Sequence, residues 1–255
     1  MENQLAQLEN DFDGLLFFNG TAIHQAQLLA YSTDASVYQE KPLAVAIPAT
    51  IADIQKLIRF ANQQKVTLIP RAAGTSLAGQ VVGNGIVVDI SKYFTRIIKV
   101  NVKEKWVRVQ PGVIRDELNH YLRSFGLMFG PETSTASRAM IGGMLGNNSC
   151  GLHSIVWGSV RDHVREVKAL LSDGSEVVFG TEDILPKQET SSLKEKIYSD
   201  LYRLLSDVVN QDLIGNNFPK STVHRRNTGY ALDSMLAMQP FKEDGEKFNI
   251  CKLLA

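Results

Sequence analysis

The sequence predicts an α+β fold, and three observations lead there. Short apolar runs of strand length recur at residues 43–48, 65–70, 85–90, 96–100 and 106–110. Other segments carry apolar residues at helical spacing. The strand-like and helix-like segments are mixed, without the strict alternation of a parallel α/β sheet. At 255 residues the chain can hold one large domain or two small ones with a proper core.

Residues 1–40 read as a mixed leader punctuated by the turn-like "NGT" and "STDAS". "LAVAIP" (43–48) is a strand. Thr50 stands three residues before Asp53, which predicts a capping box opening a helix with Ile51, Ile54, Leu57, Ile58 and Ala61 at helical spacing. "KVTLIP" is the next strand and delivers the small-residue loop "PRAAGTSLAGQ" (70–80). "GIVVDI", "RIIKV" and "WVRVQ" are further strands, the last two a hairpin around Asn101–Glu104. A helix is predicted from Val113 to Phe125 with Ile114, Leu118, Leu122 and Phe125 on one face. A second small-residue stretch, "PETSTASRAMIGGMLGNNSCG" (131–151), follows. "VREVKALL" and "EVVFG" form a hairpin across Asp173-Gly174, where glycine supplies a positive φ. Leu193, Ile197, Leu201, Leu204, Leu205 and Val208 predict one long helix, and a loop rich in Asn and Pro leads to "HRRNTGYALDSML" (224–236).

Composition excludes several classes. Lys plus Arg (27) balance Asp plus Glu (27), and no run of like charges suggests nucleic acid. The acidic, polar "MENQLAQLEND" is no secretory signal, and no apolar stretch has the length of a membrane span. Cys150 and Cys251 alone make no disulfide framework and cannot hold an iron–sulfur cluster, which takes four thiolates. The cytoplasm is the expected location, and no metal site is expected.

The glycine loops fit no nucleotide-hydrolysis motif. Gly74 and Gly79 have P-loop spacing, but Gln80 and Val81 stand where lysine and a hydroxyl residue belong. Gly142, Gly143 and Gly146 lack the order of the dinucleotide fingerprint. What remains is backbone chemistry. Successive amides in a small-residue loop form a concave anion site without lysine. Thr75 and Ser76 add hydroxyls, and a helix beginning near Arg138 or Ile141 offers further amides. Each loop alone is also a plain turn; the pair suits an extended, diphosphate-bearing cofactor.

With these stretches, "WGSVRDHV" (157–164) and "LLSDGSE" (170–176) in order, the chain resembles the FAD-linked oxidases of the vanillyl-alcohol oxidase or PCMH type. Within them it is most similar to the FAD-dependent D-lactate and D-2-hydroxyacid dehydrogenases, including large members with a fused iron–sulfur domain. The resemblance implies an FAD-binding domain over residues 41–255 after a leader of 1–40, its α+β subdomains spanning about 41–110 and 111–255 and incomplete at the C-terminal end. It implies that Arg71, Ala72, Ala73, Gly74, Thr75, Ser76 and Gln80 bind the diphosphate. Pro131, Glu132, Thr133, Ser134, Ile141, Gly142, Gly143, Gly146, Asn147, Asn148 and Gly151 would contact diphosphate, ribityl chain and flavin edge, and Val160 would lie along the cofactor. Thr75 stands where covalent members place a histidine, so FAD is expected to be non-covalent.

Past "NICKLLA" the relatives continue into a G-S-E-G-T-L stretch and a substrate cap that supplies the metal-binding and catalytic residues. The resemblance therefore implies an N-terminal piece of an enzyme oxidising a small-molecule 2-hydroxy acid, with catalytic residues and an electron-acceptor contact outside this chain. It leaves open a peripheral membrane contact of the parent. Alternatives are a flavin-dependent UDP-N-acetylenolpyruvoylglucosamine reductase and a catalytically inert FAD-binding module. Single residues stay open too. His153 and His163 are either bases or loop braces, Arg71 pairs with a phosphate or with a carboxylate, and Arg225 and Arg226 steer an acid or form a solvated turn. Trp106 and Trp157 are expected to pack, and Cys150 to be inert.

Overall fold

The computed structural model describes residues 1–185, 189–220, 222–223 and 229–254. The chain divides into two compact units, residues 1–129 with 134–143, and residues 130–133 with 144–255. The first unit opens with α1 (Glu2–Glu9), β1 (Leu15–Phe17), α2 (Ala22–Ala30), β2 (Ala44–Ile47), α3 (Ile51–Gln64), β3 (Leu68–Arg71) and β4 (Ile86–Asp89). These strands form one sheet in the order β1-β2-β4-β3, with β1 antiparallel to β2 and both β2 and β3 parallel to β4. Every residue of β2 and β4 is buried, as expected of parallel strands covered on both faces. Ala44, Ala46, Ile86 and Val88 pack with Leu57 and Phe60 of α3 and with Leu5 of α1. The alternate residues Val45, Ile47 and Val87 pack with Leu28 of α2.

The first 40 residues thus belong to this unit's core, where Leu5, Leu16, Phe18 and Leu28 are all buried. Antiparallel pairing of β1 with β2 draws them in. The capping box is present: Thr50 Oγ1 accepts from the Asp53 amide at 3.1 Å, and Asp53 returns a bond to the Thr50 amide. The buried face of α3 nevertheless uses Phe60 and Asp53, while Ile51 is exposed. β5 (Ile97–Asn101) and β6 (Trp106–Val109) form the expected hairpin, and α4 (Arg115–Arg123) buries Leu118 and Leu122 against it. Phe125 lies beyond the end of α4 and is exposed.

α5 (Ile141–Gly146) begins in the first unit. The second holds the one-turn helices α6 (Ser154–Trp157) and α7 (Val160–His163), then β7 (Val167–Leu170), β8 (Glu176–Phe179), α8 (Leu193–Ser206), α9 (Val208–Asn217), α10 (Leu232–Leu236) and α11 (Cys251–Leu254). β7 and β8 pair antiparallel across a turn in which Gly174 has φ 83°. Phe179, Tyr198, Leu205, Met235, Phe248, Ile250 and Cys251 form this unit's core.

The single long helix expected from Leu193 through Val208 is two helices. The chain turns at Asp207 (φ −75°, ψ 120°), whose carboxylate accepts from the Val209 amide at 2.8 Å and starts α9. Leu204 and Val208 are consequently exposed. Of "HRRNTGYALDSML", residues 224–228, with Arg225 and Arg226, lie outside the described residues; α10 covers its end. Among the described residues no helix is long and apolar enough to cross a membrane.

Candidate functional site

In the first unit, β3 ends at Arg71 beside Asp89 of β4, and the chain leaves the sheet into the 72–80 loop. Residues 71–76 are half-buried and Gln80 is exposed. Among the described residues, none of the amides of Ala72, Ala73, Gly74, Thr75 or Ser76 donates to a backbone carbonyl. The Ser76 Oγ is buried and has no hydrogen-bonding partner among the described residues. Gly74 has φ 64°, a left-handed backbone conformation that glycine adopts without strain. Buried polar groups in proteins are ordinarily paired, so the Ser76 hydroxyl stands out, and the amides beside it are donors a small-residue loop can offer an anion.

The second small-residue stretch reaches this loop: a side-chain carbon added at Gly143 would stand 3.2 Å from Ala72 Cβ. The amides of Ile141 and Gly142 are not the anion donors the sequence suggested. They bond the carbonyls of Val113 (2.9 Å) and Pro111 (2.8 Å) and seat the start of α5. Arg71 pairs with no carboxylate among the described residues. Its Nη1 donates to the Thr33 carbonyl at 2.8 Å, and its guanidinium lies 5.1 Å from the centre of the Tyr31 ring. Ser134 is exposed.

In the second unit, Pro131 is buried and Glu132 braces the turn after Asn148. Glu132 Oε1 accepts from the His153 amide at 3.0 Å and lies 2.7 Å from His153 Nδ1. Gly151 is needed there, because a side-chain carbon would meet the Glu132 backbone oxygen at 2.6 Å. Asn148, buried with φ 41°, accepts from the Arg161 amide at 3.0 Å through Oδ1. The amide of buried Val160 bonds the Ser149 carbonyl at 3.1 Å. His163 Nε2 lies 2.6 Å from the Trp157 carbonyl, so both histidines brace loops. Gly146 and Asn147 are exposed, and Asn147 bonds Ser149 Oγ. Thr133 is half-buried, as is Cys150, a free thiol. Arg161 and Asp162 of α7 line a cavity of about 290 Å³ with Ser234, Met238, Glu246 and Lys252. Among the described residues no group of His, Cys, Asp or Glu is placed to hold a metal ion.

Tyr31 and Asp89 were not singled out from the sequence. A carboxylate closing the otherwise apolar strand "GIVVD" was a signal for Asp89; nothing local marked Tyr31.

The small-residue loop leaves the half-buried end of parallel β3, inside an α+β fold, and carries neither the lysine nor the following hydroxyl residue of a nucleotide-hydrolysis loop. The comparisons name the class: the FAD binding domain family matches residues 42–180, and the chain belongs to it. FAD is its cofactor, and the fold is the PCMH type. The p-cresol methylhydroxylase structure superposes with a TM-score of 0.59 at 15% identity, over 71% of this chain and 35% of that one. A D-2-hydroxyglutarate dehydrogenase of Escherichia coli is 37% identical over 93% of this chain and 23% of its own length. The mitochondrial cytochrome D-lactate dehydrogenase of Kluyveromyces lactis is 33% identical over 53% of this chain and 24% of its own. The chain thus spans about a quarter of the length of these curated relatives. The residues present fit FAD: among the described residues the Ser76 hydroxyl is buried without a partner and the five amides of 72–76 bond no backbone carbonyl, a donor set that suits an anionic group.

Proposed function

We propose that this chain is the FAD-holding part of an enzyme that oxidises a D-2-hydroxy acid, with D-2-hydroxyglutarate the first candidate. The observation that carries this is the extent of the match. Similarity to the D-2-hydroxyglutarate dehydrogenase runs over 93% of the chain, well beyond residues 42–180, whereas the D-lactate enzyme matches 53%. Segments outside the common FAD domain are where substrate classes of one fold diverge.

In this reading Ala72–Ser76 hold the diphosphate by main-chain amides and the Ser76 hydroxyl, with Gly143 leaving room beside Ala72. Thr75, Gln80, Pro131, Glu132, Thr133, Ser134, Gly146, Asn147, Asn148, Gly151 and Val160 complete the proposed contact set. Arg71 joins it indirectly, and Ile141 and Gly142 as the seat of α5. FAD supplies the hydride acceptor for the substrate's α-carbon; this chain binds, orients and shields it. The attachment is non-covalent, and residues that abstract the substrate's proton lie outside the set.

The test has two readings. Protein that keeps a visible flavin band after desalting has a working cradle; loss of all flavin overturns the proposal. In the full-length gene product, anaerobic bleaching by D-2-hydroxyglutarate ahead of D-lactate is the expected result. Bleaching by NADPH alone would assign a reductase instead.

A further inference from the structure

Arg71 and Asp89 are register partners at the ends of parallel β3 and β4. Opposite charges so placed would ordinarily pair directly, yet among the described residues they form no ion pair. Tyr31 stands between them. Its hydroxyl donates to Asp89 Oδ2 at 2.5 Å, and its ring takes the Arg71 guanidinium at 5.1 Å. The other Asp89 oxygen accepts from the Ser91 amide at 2.7 Å. Arg71 is thereby turned away from the carboxylate. It bonds the Thr33 carbonyl and lies against the loop, where a side-chain carbon on Gly74 would fall 2.5 Å from Nη2.

Gly74 is the middle residue of the run whose amides have no backbone acceptor. We infer that Tyr31, anchored by Asp89, is a positioning residue for the cofactor: acting through the Arg71 guanidinium, it fixes the 72–76 backbone in the shape that presents its amides to a diphosphate. The inference rests on the reading of that loop as the diphosphate grip. A planar guanidinium held by a ring against its face and a carbonyl at its edge is a rigid prop, and it adds positive potential beside the amides. Phenylalanine would keep the ring but release Asp89; leucine would remove both contacts.

The experiment measures FAD dissociation constants by flavin fluorescence, phosphorus NMR of the bound diphosphate, and the unfolding midpoint of the ligand-free protein. Tyr31→Leu is expected to weaken FAD about tenfold and shift the diphosphate resonances, and Tyr31→Phe to recover to within about threefold of the parent. Arg71→Lys leaves the Tyr31–Asp89 bond intact and loses the forked, stacked head, so it should match Tyr31→Leu at about tenfold with an unchanged unfolding midpoint. Unaltered affinity and resonances in both Tyr31→Leu and Arg71→Lys would overturn the inference. So would affinity losses that only follow a lowered midpoint while the resonances stay put. Gly74→Ala separates the two levels. If it weakens FAD and the Tyr31 and Arg71 variants do not, the positioning role alone fails; if it too leaves FAD untouched, the diphosphate reading fails.

Discussion

The Ser76 hydroxyl oxygen is buried with no partner, an arrangement that costs the ligand-free protein roughly 1–3 kcal/mol. A bound diphosphate oxygen would accept its proton, so one side chain should act in opposite directions on stability and on binding. Ser76→Ala is expected to leave the ligand-free unfolding midpoint unchanged or raised, while weakening FAD about five- to tenfold. Thermal unfolding and a fluorescence titration check the pair of signs; a lowered midpoint with unchanged affinity would remove Ser76 from the site. The loop around it was visible in the sequence as small residues after an apolar strand, a pattern that a plain turn shares and that only the second such stretch tips toward a ligand. The fate of individual donors was not. Ile141 and Gly142 look like helix-opening amides in the sequence, and only tertiary packing assigns them to Val113 and Pro111. Tyr31 was invisible for the same reason, since its bond to Asp89 spans 58 positions.

At the level of elements, the local signals that proved readable were those whose partners lie within a few residues. The capping box at Thr50, the Asn101–Glu104 hairpin and the glycine turn at Gly174 all belong to this kind. The leader was harder because β1 is three residues long and draws its stability from β2, which no local pattern reveals. The break at Asp207 falls at a capping residue, but the apolar spacing runs unbroken across it and reads as one helix. Asp53 shows how much the start of α3 depends on one side chain. It is fully buried and accepts from the amides of Asp13 (3.0 Å), Ala49 (2.9 Å) and Thr50 (3.2 Å), so it ties the β1 approach, the β2 exit and the helix cap together. Thr50→Ala removes one cap bond and should cost about 1 kcal/mol. Asp53→Ala strands three donors at once and should cost about 3 kcal/mol or more. Urea unfolding with unchanged slope checks both; equal losses in the two variants would show that Asp53 is only a cap.

For the molecule as a whole, the response to alkali follows from groups buried in their neutral form. Burial, helped by the bond to and the charge of Asp89, raises the Tyr31 phenol above its ordinary value in the first unit. In the second unit, burial followed by the charge of Glu182 raises Tyr198, and burial pushes the Cys251 thiol from an ordinary 9.0 up to about 11. In each case the folded chain holds its proton to higher pH than the unfolded chain does. The contribution to stability is therefore complete below the unfolded value and is lost as pH rises toward the folded one. Cys251 acts first, from pH 9.0 to about 11, and the tyrosines join above their ordinary 10.0. The contribution of these three groups should be level around neutrality and fall above pH 9.0, by at most about 1.4 kcal/mol per pH unit for each group titrating in the unfolded chain; Lys252, which burial holds below its ordinary 10.5, acts with the opposite sign and partly offsets the fall up to that pH. Cys251→Ala should delay the onset to about pH 10, where the tyrosines begin to ionise in the unfolded chain. Tyr198→Phe should reduce the later fall, and because the Tyr198 hydroxyl has no partner, it should not destabilise the protein at neutral pH. A stability profile unchanged between neutrality and pH 11 would mean that these three groups reach water in the folded protein, and the packing of Cys251 beneath the Phe179 carbonyl would be the first contact to doubt.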